Sequence, residues 1–319
     1  MNGTRSAPKV PASGVWTPAV TFFDPQNDEV DHEAQSKYFA YLSKTGLAGL
    51  IVLGSNAESF LLTTSERKSL IQTARKAVGD SYPLMAGVSG HSTKQVLEYI
   101  SDAADAGADY ALLLPASYFG KATTPSVIER FYDDVASNSQ LPIVIYNFPG
   151  VCNGVDLDSD LITRLAKRWS DKIVGVKLTC GSVAKITRLA AVLPASEFAT
   201  FGGQSDFLIG GLASGSSGCI CAFGNVLPKS IVKQYTLYQE GKFKEAMELH
   251  QKAALAEQAI KSGIAATKYA ASLSTAKAAG IKNAEKLLKP RTPYEEPSEA
   301  VKKSIKGQIE EMIKVEESI

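Results

Sequence analysis

Three histidines and four cysteines are scattered through 319 residues, and neither set forms a ligand pattern. His32, His91 and His250 fit no HExxH or paired-ligand spacing, which argues against a histidine-built metal site. Cys152, Cys180, Cys219 and Cys221 contain no CxxC pair. In a chain long enough to build its own core they read as free thiols in a reducing compartment. No uninterrupted apolar run reaches the roughly 20 residues of a membrane span. With 34 basic and 33 acidic residues and no long block of one sign, the chain lacks the footprint of a nucleic-acid binder. Phosphate-cradling motifs are also missing: there is no P-loop, and no GxGxxG follows the first strand. Residues 1–13 lack an apolar h-region, so no secretory signal is expected there. They read as a disordered tail in a cytoplasmic protein. Arg5, Lys9 and the absence of acid in that stretch give it some transit-peptide character, which keeps the mitochondrion as an alternative.

What is present is a regular alternation. Short runs rich in Val, Ile and Leu occupy 14–23, 47–54, 82–90, 108–115, 141–149, 172–180, 198–204 and 217–223, each followed by a segment of helical spacing. Three of those segments carry clear end signals: 63–79 opens on threonine, 92–108 on Ser-Thr, and 158–169 on an aspartate with basic residues in its last turn. Eight strand–helix units with nearly continuous apolar strands predict a parallel sheet covered on its outer face. Eight is also the number that closes a (β/α)8 TIM barrel, here preferred over an open doubly wound sheet. The expected organisation is a tail (1–13), a catalytic barrel (14–240) and an alanine-rich C-terminal α-helical extension (241–319).

In such barrels the chemistry lies at the C-terminal ends of the strands. The sixth strand, "KIVGVKLTC", carries a lysine there, and a lysine is almost never fully buried without a partner or a purpose. Period-2 alternation puts Val174, Val176 and Leu178 on the outer face and Gly175, Lys177 and Thr179 inside, with Gly175 leaving room beside the lysine. An amine desolvated in an apolar cavity loses its preference for the charged form and becomes a nucleophile able to form a Schiff base with a ketone. The plainer readings are a lysine paired with a carboxylate or one gripping a phosphate.

On the preceding strand, "IVIYNFPG", Val144, Tyr146 and Phe148 share a face, so Tyr146 is expected beside Lys177. A phenol there can relay protons to and from oxygen, although alone it would read as core. "GSNAES", residues 54–59, follows the second strand with small and polar residues that suit an anion, a signal many loops share.

Together, "GSNAES", "YNFP" and "GVKLT" resemble the dihydrodipicolinate synthase / N-acetylneuraminate lyase family in order and approximate spacing, and the resemblance extends over the whole chain. It implies a class I enzyme that binds pyruvate or another 2-oxo acid as a Schiff base, with no metal or diffusible cofactor. By the same resemblance Lys177 is the Schiff-base lysine and Tyr146 the proton shuttle. Ser55 and Asn56 hold the pyruvate carboxylate, and Ser55 also links the tyrosines of a proton relay. Tyr118, in "PASYFG", resembles the tyrosine supplied across a tight dimer interface, which implies a homotetramer built as a dimer of dimers. Thr179, Gln204 and Ser205 are candidates for reading the rest of the substrate from their places at strand ends.

Two positions depart from the family pattern. Ala57 stands where glycine is common, and would cost roughly 1 kcal/mol if that position requires a positive φ. Val151 stands where synthase members carry an arginine for the substrate's second carboxylate. Asn56 and Thr179 resemble the aldolase branch. The expected reaction is therefore reversible cleavage of a 4-hydroxy-2-oxo acid, either a 2-keto-3-deoxy sugar acid such as 3-deoxy-hexulosonate or 4-hydroxy-2-oxoglutarate, to pyruvate and an aldehyde. The alternatives are a dihydrodipicolinate synthase or 2-keto-3-deoxy acid dehydratase using the same lysine, an inactive pyruvate-binding protein, and a phosphate-binding barrel isomerase.

Overall fold

The computed structural model describes residues 10–319. Its centre is a closed barrel of eight parallel strands in chain order: β1 (Gly14–Pro18), β2 (Gly49–Val52), β3 (Leu84–Gly87), β4 (Tyr110–Leu113), β5 (Ile143–Asn147), β6 (Ile173–Leu178), β7 (Ala199–Gly202) and β8 (Gly218–Ile220). Closure is made by Gly14–Trp16 pairing with Gly218–Ile220. Each strand lies inside its expected run and is shorter than it, because the apolar pattern continues into the turns.

The principal helices of the barrel ring are α1 (His32–Leu42), α2 (Thr64–Val78), α3 (Thr93–Asp105), α4 (Pro125–Asn138), α5 (Ser159–Arg168), α6 (Val183–Val192), α7 (Leu208–Ala213) and α8 (Pro228–Gln239). Their starts follow side-chain capping chemistry. Thr63 accepts from the Glu66 amide while the Glu66 carboxylate accepts from the Thr63 amide. Ser92 and Asp158 cap α3 and α5 in the same sense.

Two apolar layers result. Outward strand side chains such as Leu50, Leu84, Ile145 and Val176 pack against the helices, while Trp16, Met85, Tyr110, Val144 and Phe201 fill the barrel. Trp16 meets Tyr110 and Phe201 edge-on, with ring centroids 6.2 and 6.4 Å away. Residues 1–9 of the expected tail lie outside the described residues. Just after them, the carbonyls of Val10 and Ala12 accept hydrogen bonds from Tyr110 and Trp16.

Alternation along β6 is broken once. The register against β5 shifts between Ile143 and Val144, so Ile143 faces Ile173 but Val144 faces Gly175. Val174 is the extra residue of this bulge and joins the barrel interior, not the outer face expected for it. Beyond it Val176 and Leu178 return outward and Lys177 points in. The glycine beside the bulge admits backbone: a Cβ on Gly175 would sit 2.7 Å from the Ala199 carbonyl oxygen, so it serves the approach of β7 and does not open space beside the lysine.

After α8 the chain forms α9 (Phe243–Glu257), a single 3-10 turn at Gln258–Ile260, α10 (Ile264–Leu273), α11 (Thr275–Ala278), α12 (Ala284–Leu287) and α13 (Glu299–Ser318). α10 and α11 are separated by a break at Ser274, whose hydroxyl donates to the Val226 carbonyl at 2.6 Å and ties the break to the barrel. Near the end of α13, Glu316 reaches the start of α8. Its carboxylate accepts from the amides of Lys229 (2.8 Å) and Ser230 (2.7 Å) and from the Ser230 hydroxyl (2.6 Å). It thus caps a helix that has no side-chain cap of its own. Burial pushes this carboxyl above the usual range, against the pull of those donors. Glu316→Ala is expected to cost about 1–2 kcal/mol, the usual penalty for stripping a cap, read as a lowered denaturation midpoint.

Candidate active site

Lys177 lies one residue before the end of β6 and is 2% exposed. Among the described residues no carboxylate pairs with it. Its Nζ sits instead over the face of the Tyr146 ring, 4.2 Å from the centroid, directly across the β5–β6 register. Tyr146 is 3% exposed and stacks on Phe148 at 5.8 Å. Its hydroxyl is 3.5 Å from the Ser55 Oγ, the outer limit of a hydrogen bond.

Ser55 begins one 3-10 turn, Ser55–Ala57, immediately beyond β2. Among the described residues no protein acceptor takes the amides of Ser55 and Asn56, and both residues line the same cavity as Lys177. Ala57 is not the strained position: the left-handed residue is Glu58, at φ +56°. Glu58 is held there by two contacts from the C-terminal extension, one from α10 and one from the segment between α12 and α13. Lys268 Nζ donates to one carboxylate oxygen at 2.6 Å, and the Arg291 amide donates to the other at 2.8 Å. Both partners of the ion pair are almost fully buried, at 0% and 3%. From the other side, the Arg67 guanidinium holds the Ser59 and Gly87 carbonyls, each at 2.8 Å. Burial lowers this guanidinium's pKa to about 10.

Ser55, Asn56, Tyr146 and Lys177 line a cavity of about 260 Å³. That is just below the roughly 300–1,000 Å³ common for ligand cavities and leaves room for a small metabolite. Thr179 and Gln204 line it as expected from their places after β6 and β7. The Thr179 hydroxyl is buried without a hydrogen-bond partner, an arrangement that costs free energy unless a ligand completes it. Gly203 is required beside it, because a Cβ there would lie 2.2 Å from that hydroxyl.

Ser205 is placed differently. It is buried behind the wall, and its hydroxyl is committed to Glu257. Tyr118 does not line the cavity either. It is 69% exposed, with its ring against His91 (5.3 Å) and Phe119 (5.3 Å).

The far wall was not anticipated. Glu257 closes α9, and Ile260, Lys261, Ile264 and Thr267 follow it along the chain; all five face the cavity. Glu257 and Lys261 are spaced i, i+4 on a helical segment, which would have marked an ion pair, but nothing in the sequence aims that face at the barrel mouth. Val151 and Ile264 also line an adjoining apolar hollow of about 540 Å³ with Phe60, Leu61, Pro290 and Tyr294, which forms a vestibule.

The model of the dihydrodipicolinate synthetase family matches residues 11–309. The chain belongs to that family. A Coccidioides immitis relative, named provisionally as a mitochondrial 4-hydroxy-2-oxoglutarate aldolase, is 62% identical over 97% of this chain and 98% of its own. An L-threo-3-deoxy-hexylosonate aldolase of Hypocrea jecorina is 38% identical, covering 82% of this chain and 86% of its own. Among solved structures, YagE of E. coli K12, crystallised in complex with pyruvate, superposes with a TM-score of 0.83 at 26% identity. That match covers 95% of this chain and 98% of YagE. As an enzyme this family member is a carbon–carbon lyase, an aldolase. Among the described residues no helix is long and apolar enough to cross a membrane.

Proposed function

We propose that the chain cleaves a 4-hydroxy-2-oxo acid, a 2-keto-3-deoxy sugar acid or 4-hydroxy-2-oxoglutarate, to pyruvate and an aldehyde through a Schiff base on Lys177. The observation that carries this is a buried, carboxylate-free lysine at the cavity end of β6, against the face of Tyr146. Lys177 Nζ attacks the C2 ketone, and water leaves to give an iminium. The Ser55 and Asn56 amides, with the Ser55 hydroxyl, hold the C1 carboxylate. Tyr146 takes the proton of the C4 hydroxyl as C3–C4 breaks. The bond's electrons pass into the iminium to form an enamine, and the aldehyde departs. Protonation at C3 and hydrolysis then release pyruvate and free the amine. No residue assigned here needs a metal or a diffusible cofactor.

Val151 offers no cation to a second carboxylate, which weighs against dihydrodipicolinate synthesis. A dehydratase would share the iminium but release water instead of pyruvate, so product analysis separates the two. In the assembled enzyme we place the exposed Tyr118 ring at a subunit contact of a homotetramer, where it extends the Tyr146–Ser55 relay of a neighbouring subunit. Two relatives with mitochondrial names, added to Arg5 and Lys9 in an acid-free N-terminus, support the mitochondrion over the cytoplasm.

Borohydride reduction in the presence of pyruvate, followed by peptide mass spectrometry, tests the proposal. An adduct confined to the Lys177 peptide supports it. Folded protein without an adduct overturns it and makes Lys177 an anion-gripping or structural residue. Tyr146→Phe is expected still to trap pyruvate, but to lower kcat for cleavage by about 10²–10⁴-fold, the usual contribution of a positioned proton shuttle.

A further inference from the structure

The cavity is chemically asymmetric. Its inner end holds Lys177, the free amides and the unpartnered Thr179 hydroxyl. Its outer end holds Lys261 among acceptors. The ammonium of Lys261 donates to the Gln204 side-chain oxygen, to Asp206 at 2.7 Å and to Glu257 at 3.2 Å. An ammonium has three donors, and here all three are taken. Two carboxylates surround this single cation. Glu257 is 2% exposed, and its other oxygen is held by Ser205. Around them Ile260, Ile264 and Val151 offer no polar group.

We propose that Gln204, Glu257 and Lys261, with Asp206 behind them, form a selectivity clamp that accepts an uncharged, hydroxylated substrate tail and rejects a terminal carboxylate. This rests on the Schiff-base reading, because it assumes that the reacting carbons lie at the Lys177 end. A carboxylate arriving at the clamp finds the ammonium's three donors taken and only the uncharged Gln204 amide group left to donate to it. It must enter a space already holding two carboxylates against one ammonium. A hydroxyl meets no such opposition. It donates to the Glu257 or Gln204 oxygen and accepts from Lys261 as that group exchanges one acceptor for another. Half of the clamp comes from the helices after the barrel, so substrate choice is set outside the eight strand–helix units.

Pyruvate release is measured with a 2-keto-3-deoxy hexonic acid and with 4-hydroxy-2-oxoglutarate, on the intact protein and on two variants. The unaltered enzyme is expected to favour the sugar acid in kcat/KM by about tenfold or more. Glu257→Gln removes one negative charge and should move the ratio towards the dicarboxylate by about tenfold. Lys261→Met removes the clamp's cation and should move it the opposite way. The paired, opposite shifts distinguish selection from damage, since loss of packing lowers both substrates together. Lys261 is partly exposed, so its variant carries the test if the buried Glu257 variant does not fold. Trapping of pyruvate on Lys177 is followed in parallel. An adduct with equal or inverted preference in the unaltered enzyme overturns the clamp alone. So do variants that shift the ratio in one shared direction or not at all. Failure to trap pyruvate in the unaltered enzyme overturns the Schiff-base reading and the clamp with it.

Discussion

Lys177→Met is expected to lower kcat/KM by at least about 10⁴-fold and to abolish borohydride trapping, because Lys261, which also lines the cavity, is engaged by Gln204, Asp206 and Glu257. Lys177 is 2% exposed and makes no ion pair among the described residues, so its replacement by an apolar side chain of similar length leaves no buried charge behind. The variant should therefore fold with a denaturation midpoint at or above that of the parent. Circular dichroism against temperature checks the fold, and the pyruvate assay with each 2-oxo acid checks the loss. A Met variant that retains a tenth of the activity would place the nucleophile elsewhere. A variant that unfolds would make the lysine structural. Neither the phosphate-gripping nor the silent-binder reading predicts a residue whose loss removes a covalent pyruvate adduct while sparing stability.

Lys268→Met is expected to do the reverse, costing about 3–5 kcal/mol of stability, because it strands the Glu58 carboxylate in a buried site. Lys268 is fully buried, and its Nζ also donates to the Lys289 carbonyl at 2.9 Å. Burial lowers its pKa to about 8 even though Glu58 pulls the other way. Between about pH 8 and the ordinary lysine value of 10.5 the unfolded chain keeps a proton that the folded chain has released. The free energy of unfolding contributed by this residue therefore rises with pH across that window and has no slope below it. The difference between parent and Lys268→Met in chemical denaturation should widen from pH 8 to pH 10. The double variant Glu58→Gln/Lys268→Met should recover part of the loss, since the stranded charge is gone. Both single and double variants should slow pyruvate trapping, because the turn that presents Ser55 and Asn56 is pinned through Glu58.

The barrel was legible because its signal is repetitive: eight apolar runs, each followed by a segment of helical spacing, leave few topologies open. Lys177 and Tyr146 were legible for a local reason, since charge and phenol fall on inward positions at the mouth. Alternation failed at Val174, where a bulge inserts a residue, and no apolar pattern marks a bulge made entirely of apolar residues. The positive φ considered for Ala57 falls on Glu58, where it is stabilised by contacts made from afar and not by the residue's own freedom. The outer wall was not legible, since Glu257 and Lys261 read as an ordinary surface pair on an alanine-rich helix. Ser205 looked available by position, while its hydroxyl is already bound to Glu257. Distance along the chain hides such partnerships: the contacts that complete the cavity join residues some 50 to 230 positions apart.

The Glu58 anchor also has a consequence in time. Glu58 leaves the ribosome 210 residues before Lys268 and 233 before Arg291. A nascent chain can pair all eight strands while the Ser55–Ala57 turn still lacks both tethers and the outer wall of the cavity is unmade. Such an intermediate carries Lys177 on a finished strand at a mouth without its outer wall. If Lys177 is the Schiff-base amine proposed above, its cavity is complete only once the chain after the barrel closes over it, and the order of translation sets when the chemistry can begin.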